Sequence, residues 1–246
     1  MDQAARAQAF RQLHQGPRIL VIANAWDAAS ARVFEHAGMR AIGTGSAGIA
    51  SSHGYPDNER IPRDVILAAT REIVRAVKVP VTADILTGLG DTVEAVVATV
   101  KEVIALGAVG INIEDGTDEG PRLFDIAHQV EKIRAVCDAV KASGVPIVVN
   151  ARTDSFWLKL GDEKERLRVS IERANRYREA GADCLFVPAI ADRETIKTLV
   201  ARIAGPVNIL TVPGCPPIAE ELLQSGTYTR FHNDAIAYPE ANKLFE

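Results

Sequence analysis

Short, unbroken apolar runs alternate along this chain with longer stretches in which apolar positions recur at helical spacing. The runs are Ile19-Leu20-Val21-Ile22, Ala41-Ile42-Gly43, Val81-Thr82-Ala83, Val109 to Ile113, Ile147-Val148-Val149, Asp183 to Val187 and Val207 to Leu210. Continuous runs predict parallel strands covered on both faces, because a half-exposed strand would alternate. Two kinds of boundary separate them from the helices. His36-Ala37-Gly38, Leu106-Gly107-Ala108 and Ala180-Gly181-Ala182 each end an amphipathic helix on a glycine, which takes the left-handed C′ position without steric cost. Val79-Pro80, Val145-Pro146 and Gly205-Pro206 stop the preceding helix with a proline, a residue tolerated at the start of a strand.

Strands alternating with helices mean βαβ units, and two architectures compete: a closed (β/α)8 barrel and an open doubly wound sheet. An open nucleotide-binding sheet needs G-x-G-x-x-G after its first strand. Here that turn reads Ala23-Asn24-Ala25-Trp26-Asp27, and Gly43-Thr44-Gly45 after the second run lacks the third glycine. The pattern therefore predicts an α/β fold, a TIM-type (β/α)8 barrel, as a single domain over residues 1–246 with a C-terminal tail. The eighth strand is not placed. One helix is expected from Ile218 to Gln224, and Thr227 to Phe231 alternates but is short and polar for a central strand. On this reading the barrel is incomplete at its eighth position.

Composition narrows the class. A net charge of −4 excludes the basic footprint of a nucleic-acid binder. No apolar run approaches the roughly 20 residues that span a bilayer, and Met1-Asp2-Gln3 opens no secretory signal. Cys137, Cys184 and Cys215 form no C-x-x-C pair and no zinc spacing, a usage that suits a reducing cytosol. The expectation is a soluble, cytoplasmic protein with neither nucleic acid nor membrane as partner.

Barrel chemistry sits at the C-terminal ends of the strands. Those positions hold Asn24 and Asp27, Ser46, Asp84, Glu114 and Asp115, Asn150, Arg152 and Asp154, and Thr211. Several carboxylates around one mouth point to a hard, oxygen-ligated cation such as Mg²⁺ or Mn²⁺. Arg152 suits a bidentate grip on a carboxylate or phosphonate. The small-residue segment Gly43 to Gly48 can turn backbone N–H groups toward an anion. The plainer reading makes Asp27 and Asp115 N-caps of the helices that follow, with Asp91 capping the helix that begins near Thr92. Glu114 resists such a reading, since a glutamate closing a buried apolar strand is costly unless paired. His53 reads as a solvated loop residue and Cys184 as core, while Trp26 either lines the site or walls the mouth.

The ordered set Asn24-Ala25-Trp26-Asp27, Gly43 to Gly48 with Ser51 to Asp57, Thr82-Ala83-Asp84, Ile113-Glu114-Asp115-Gly116, Asn150-Ala151-Arg152-Thr153-Asp154 and Leu210 to Gly214 resembles the isocitrate lyase/phosphoenolpyruvate mutase superfamily. Within it the chain is most similar to the short oxaloacetate or 2-oxo-acid lyase-like subgroup. The resemblance implies a homo-oligomeric (dimeric or tetrameric) barrel enzyme. It would cleave a C–C bond, or rearrange a P–C bond, in a small carboxylic acid through an enolate on Mg²⁺. Position by position it makes Asp84 the metal-binding carboxylate, and has Glu114 and Asp57 hold metal-bound water. It further has Ser46 and Ala47 bind the substrate carboxylate or oxyanion, and Arg152 grip the substrate. The expected catalytic residues are thus Arg152, Glu114 and Ser46. The expected substrate contacts are Trp26, Gly45, Ser46, Ala47, Asn150, Arg152 and Thr211.

Three departures from that pattern matter. Thr82 stands where many relatives carry a second acid, and Gly88-Leu89-Gly90 where they carry an aromatic between glycines. Gly116 to Arg122 replaces both the cysteine loop of the isocitrate and methylisocitrate lyases and the Lys-, Thr- and Asn-rich loop of the phosphonomutases. The long helix and strand that relatives place between a Pro213-Gly214-like turn and an Asp234-to-Tyr238-like tail have no counterpart here. Three readings follow: a Mg²⁺-dependent C–C lyase or decarboxylase, a P–C mutase or hydrolase, and a relative that binds a keto acid without turning it over.

Overall fold

A computed structural model describes residues 2–15, 19–57, 61–117, 120–215 and, for the backbone, 228–231. Eight parallel strands close into a barrel in sequence order. They are β1 Val21–Ala25, β2 Ile42–Thr44, β3 Val81–Asp84, β4 Gly110–Ile113, β5 Val148–Arg152, β6 Cys184–Phe186, β7 Val207–Thr211 and β8 Tyr228–Phe231. Helix α1 Gln3–Leu13 precedes the barrel. The helices that follow are α2 Ala28–His36, α3 Ser46–Ser52, α4 Arg63–Ala76, α5 Val93–Ala105, α6 Ile126–Ser143, α7 Glu163–Glu179 and α8 Arg193–Arg202. None of the described helices is long and apolar enough to cross a membrane.

The strand boundaries fall where the prolines and glycines demand. Gly38, Gly107 and Gly181 all adopt positive φ, at 92°, 97° and 114°, so each helix turns into its strand without a Cβ penalty. The strands are buried along nearly their whole length because helices cover the outer face and side chains fill the inside.

Closure corrects the expectation of an incomplete barrel. Tyr228–Phe231 pairs with β7 through Asn208↔Tyr228 to Thr211↔Phe231, and with β1 through Val21↔Thr229 to Ala23↔Phe231. A short strand with a neighbour on both edges has its backbone groups satisfied from two sides, so it needs no long apolar run. The helix expected at Ile218 to Gln224 and the tail at Asp234 to Tyr238 lie outside the described residues.

Two cap assignments also change. Asp27 does cap α2, in a reciprocal box with Ser30. The cap of α5 is Thr92, whose hydroxyl accepts from the Ala95 N–H, rather than Asp91. Asp125, not Asp115, caps α6, which leaves Asp115 for another task.

Candidate active site

The C-terminal ends of the strands gather Asn24, Asp84, Arg152 and Leu210, from β1, β3, β5 and β7, around a cavity of about 30 Å³. Alternate strands contribute such four-residue layers in a barrel. Gly45, Ser46, Ala47, Asp57, Trp157 and Phe186 complete the lining. The free space suffices for about two waters.

Asp84 is the most heavily bonded carboxylate there. One oxygen accepts from the Ser46 N–H at 3.3 Å and the Ser46 hydroxyl at 3.1 Å; the other accepts from Asn112 Nδ2 at 3.1 Å and the Leu86 N–H at 3.4 Å. The Asp84 N–H donates to Thr44 Oγ1 at 2.9 Å. Leu86 is held at φ 52°, a conformation non-glycine residues avoid. That strained position lets its N–H face Asp84 while its carbonyl accepts from the Glu114 N–H at 2.9 Å. The β3 and β4 ends are thereby tied together.

Arg152 lies between two carboxylates, 2.7 Å from Glu114 and 2.6 Å from Asp154, and under the faces of Trp157 and Phe186 at 5.3 and 5.6 Å. Burial alone would lower the Arg152 pKa, but Asp154, Glu114 and Asp84 more than offset it, and the guanidinium is held firmly charged. The acids are pushed the other way. Burial drives Glu114 well above the ordinary carboxylate range against the pull of Arg152, with Asp154, Asp84 and Asp57 adding repulsion. Burial likewise raises Asp154 to about 6 in spite of Arg152. Asp57, Asp84, Glu114 and Asp154 thus set four carboxylates around one guanidinium, a surplus of acid that protonation or a bound cation would relieve.

No three His, Cys, Asp or Glu side chains converge as direct ligands among the described residues. A cation at this mouth would be held by one or two carboxylates and its own waters, which is the habit of Mg²⁺. Asp84 is the natural direct ligand, with Glu114 and Asp57 within electrostatic reach.

Several expectations shift at this point. Ser46, Gly45 and Ala47 do line the mouth, but the Ser46 donors are spent on Asp84 and the Gly45 N–H on the Ala25 carbonyl. The small-residue segment Gly43 to Gly48 is strand as far as Thr44 and helix from Ser46, so its Ala47 and Gly48 N–H groups belong to the first turn of α3. Trp26 walls the mouth from outside, packed edge-on against Phe34 with its Cβ against Gly48. Asn150 and Thr211 do not line the cavity. Asn150 donates to Asn112 Oδ1 below it, and Thr211 ends β7 with a buried hydroxyl. Asp115 is fully buried and accepts from Tyr177 Oη at 2.5 Å, from Arg173 at 3.1 Å and from the Asp154 N–H at 2.9 Å. It therefore anchors the turn that carries Asp154, and through it Arg152. Trp157, in the loop after β5, and Phe186, the last residue of β6, line the cavity, but as apolar side chains they carry no chemical signal in the sequence. Asn112 and Asn208 lie within β4 and β7, outside the cavity lining.

The sequence profile of the phosphoenolpyruvate phosphomutase family matches residues 10–228. An uncharacterized protein of Mycobacterium tuberculosis is 37% identical over 205 residues, 83% of this chain and 74% of its own length. The 2-methylisocitrate lyase of Halalkalibacterium halodurans is 31% identical over 213 residues, 84% of this chain and 67% of its own. A crystal structure from Burkholderia cenocepacia J2315, provisionally named a phosphonomutase, superimposes with a TM-score of 0.88 at 34% identity, covering 97% of this chain and 96% of that one. The fold, the strand-end carboxylates and these matches agree: the chain belongs to the phosphoenolpyruvate phosphomutase family, within the superfamily that also holds the isocitrate lyases.

Proposed function

We propose that this protein is a lyase that cleaves a C–C bond in a small 2-oxo or dicarboxylic acid by way of an enolate, with Mg²⁺ or Mn²⁺ as cofactor. The observation that carries this reading is the charge imbalance at the mouth. Four carboxylates surround one guanidinium in a buried setting, an arrangement that repels an acidic substrate until a cation offsets it. The similarity to a methylisocitrate lyase supports the bond type.

Asp84 would hold the metal, with Glu114 and Asp57 holding its waters. When bound, the metal supplies Lewis-acid stabilisation of charge developing on the substrate oxygens. Arg152 binds the substrate carboxylate and sets the scissile bond beside Asp84. It is already charged and oriented by Glu114 and Asp154, so an acid enters as Arg152 and Trp157 give way. Glu114, whose pKa burial raises above the ordinary carboxylate range, is the acid placed beside Arg152 to exchange a proton with the reacting carbon. Ser46 steadies Asp84. A single-domain chain, assembly as a dimer or tetramer and a cytoplasmic location belong to the same proposal. The last rests on three unbridged cysteines. Thr82, buried in the barrel wall where relatives carry an acid, favours a second reading, in which the acid is bound without turnover.

The test is incubation of the purified protein with oxaloacetate, methylisocitrate, substituted malates and phosphonopyruvate, with Mg²⁺ or with EDTA, followed by proton and phosphorus NMR. Mg²⁺-dependent C–C cleavage that disappears in Asp84→Ala establishes the lyase. Phosphorus signals that move while C–C bonds stay intact name a P–C enzyme instead. Binding without any product leaves the second reading.

A further inference from the structure

Beneath the mouth, the barrel interior carries polar side chains where packing alone would place branched aliphatics. Asp84, Asn112 and Asn150 are direct neighbours in register across β3, β4 and β5. They form a chain with one direction. Asn112 Nδ2 donates to Asp84 at 3.1 Å, and Asn150 Nδ2 donates to Asn112 Oδ1 at 3.2 Å. An amide that gives its N–H₂ to one neighbour presents its oxygen on the other side. The chain therefore ends in an acceptor: Asn150 Oδ1 is buried and has no hydrogen-bond partner. Across β6, Asn208 lies opposite Phe186 while Asn150 lies opposite Cys184, the stagger that brings alternate strands into one layer. Asn208 is 0% exposed, and both its Oδ1 and its Nδ2 are without partners.

We propose that a buried water bridges Asn150 and Asn208 and completes an amide relay that orients the Asp84 carboxylate. Orphaned acceptors and an orphaned donor facing one interior layer suit a neutral ligand that both gives and takes hydrogen bonds. A cation would meet the Asn208 N–H₂, and an anion would meet the two oxygens. Buried waters typically join such groups. Asn112, Asn150 and Asn208 are then positioning residues. They touch no substrate, and they act by fixing which oxygen of Asp84 faces the mouth. The functional weight of the relay rests on the metal reading of Asp84 given above; the water site does not.

A crystal structure of the whole protein at high resolution tests the site. Density within hydrogen-bond range of Asn150 Oδ1 and Asn208 Nδ2 is expected; a dry gap, or the two amides bonded directly, overturns it. Titration of the protein with Mn²⁺ alone tests the relay. Asn208→Leu is expected to weaken Mn²⁺ binding about tenfold and to lower the melting temperature by no more than a few degrees, because the bridging water and Asn150 Oδ1 each lose one buried partner. Asn208→Ser, which keeps a hydroxyl donor, is expected to recover part of the loss. Asn150→Asp, which cannot donate when ionised, should flip the Asn112 amide and weaken binding further. Wild-type Mn²⁺ affinity in Asn208→Leu overturns the relay. If the wild type takes up no Mn²⁺, the metal reading fails instead. The relay is then decided by the Asn208→Leu crystal structure, in which a rotated Asp84 carboxylate supports it and an unmoved one overturns it.

Discussion

At the N-terminal end of the barrel a half-buried charge is matched by its partner; at the C-terminal end carboxylates crowd one guanidinium. Arg11 of α1 pairs with Asp183 just before β6 and also donates to the Ile147 carbonyl at 2.9 Å, while Asp183 accepts from the Val149 N–H at 3.0 Å. Phe10 plugs the floor so tightly that a Cβ on Gly110 would lie 2.8 Å from its ring. At the mouth, carboxylates outnumber cations, Leu86 and Leu89 sit at positive φ, and buried polar atoms lack partners. One end is arranged for stability. The other spends stability on a charged, strained site, and strain of this kind is seen where function requires it.

That contrast can be broken in order of expected effect. Asp84→Ala should lower metal-dependent turnover by at least about a thousandfold, the scale lost with a key electrostatic group. Its melting temperature should fall by only a few degrees, because relief of the surplus negative charge partly offsets the loss of the acceptor for Ser46, Leu86 and Asn112. A large loss of stability would show instead that the mouth is a structural network. Arg11→Met, at the opposite end, should cost about 1–3 kcal/mol in urea unfolding by leaving Asp183 without its cation, with kcat unchanged. A fall in kcat would mean that the two ends communicate.

Tyr177→Phe should cost about 1–2 kcal/mol by removing the 2.5 Å hydrogen bond to Asp115. It should also raise KM more than it lowers kcat, since it loosens the turn that carries Asp154 and Arg152. The smallest effect is on pH. The Asp154 carboxyl is raised to about 6 in the folded protein by burial, against Arg152. The native state therefore keeps a proton that the unfolded chain has released. The stabilisation is full below about pH 4, the ordinary aspartate value, and is lost as pH rises through about 6. In EDTA, melting scans should fall by a few degrees from pH 5 to pH 7, and Mg²⁺ should restore part of the loss. An opposite trend would place the dominant titration elsewhere.

Much of this molecule is readable from local chemistry. Run lengths, glycines that must go left-handed and prolines that start strands are constraints each segment carries alone, so the order of strands and helices follows from the chain. The rule that barrel sites lie at strand ends then places Asp84, Glu114, Arg152 and Asp154 together at the mouth. Asp57, by contrast, is a loop residue that only the family resemblance singled out.

Other features were decided only by tertiary structure. Tyr228–Phe231 closes the barrel because β7 and β1 present paired edges on either side of it, a condition set by the rest of the sheet. Asp115 reads as a cap until α7 brings Arg173 and Tyr177 to it. Asn112 and Asn208 sit within short strands with nothing local to mark their role, and the place of Asn150 near a strand end points to substrate rather than to a neighbouring amide. Register and stagger alone align them under Asp84. Backbone conformation is a property of neighbours along the chain, whereas the partner of a buried polar group is a property of neighbours in space.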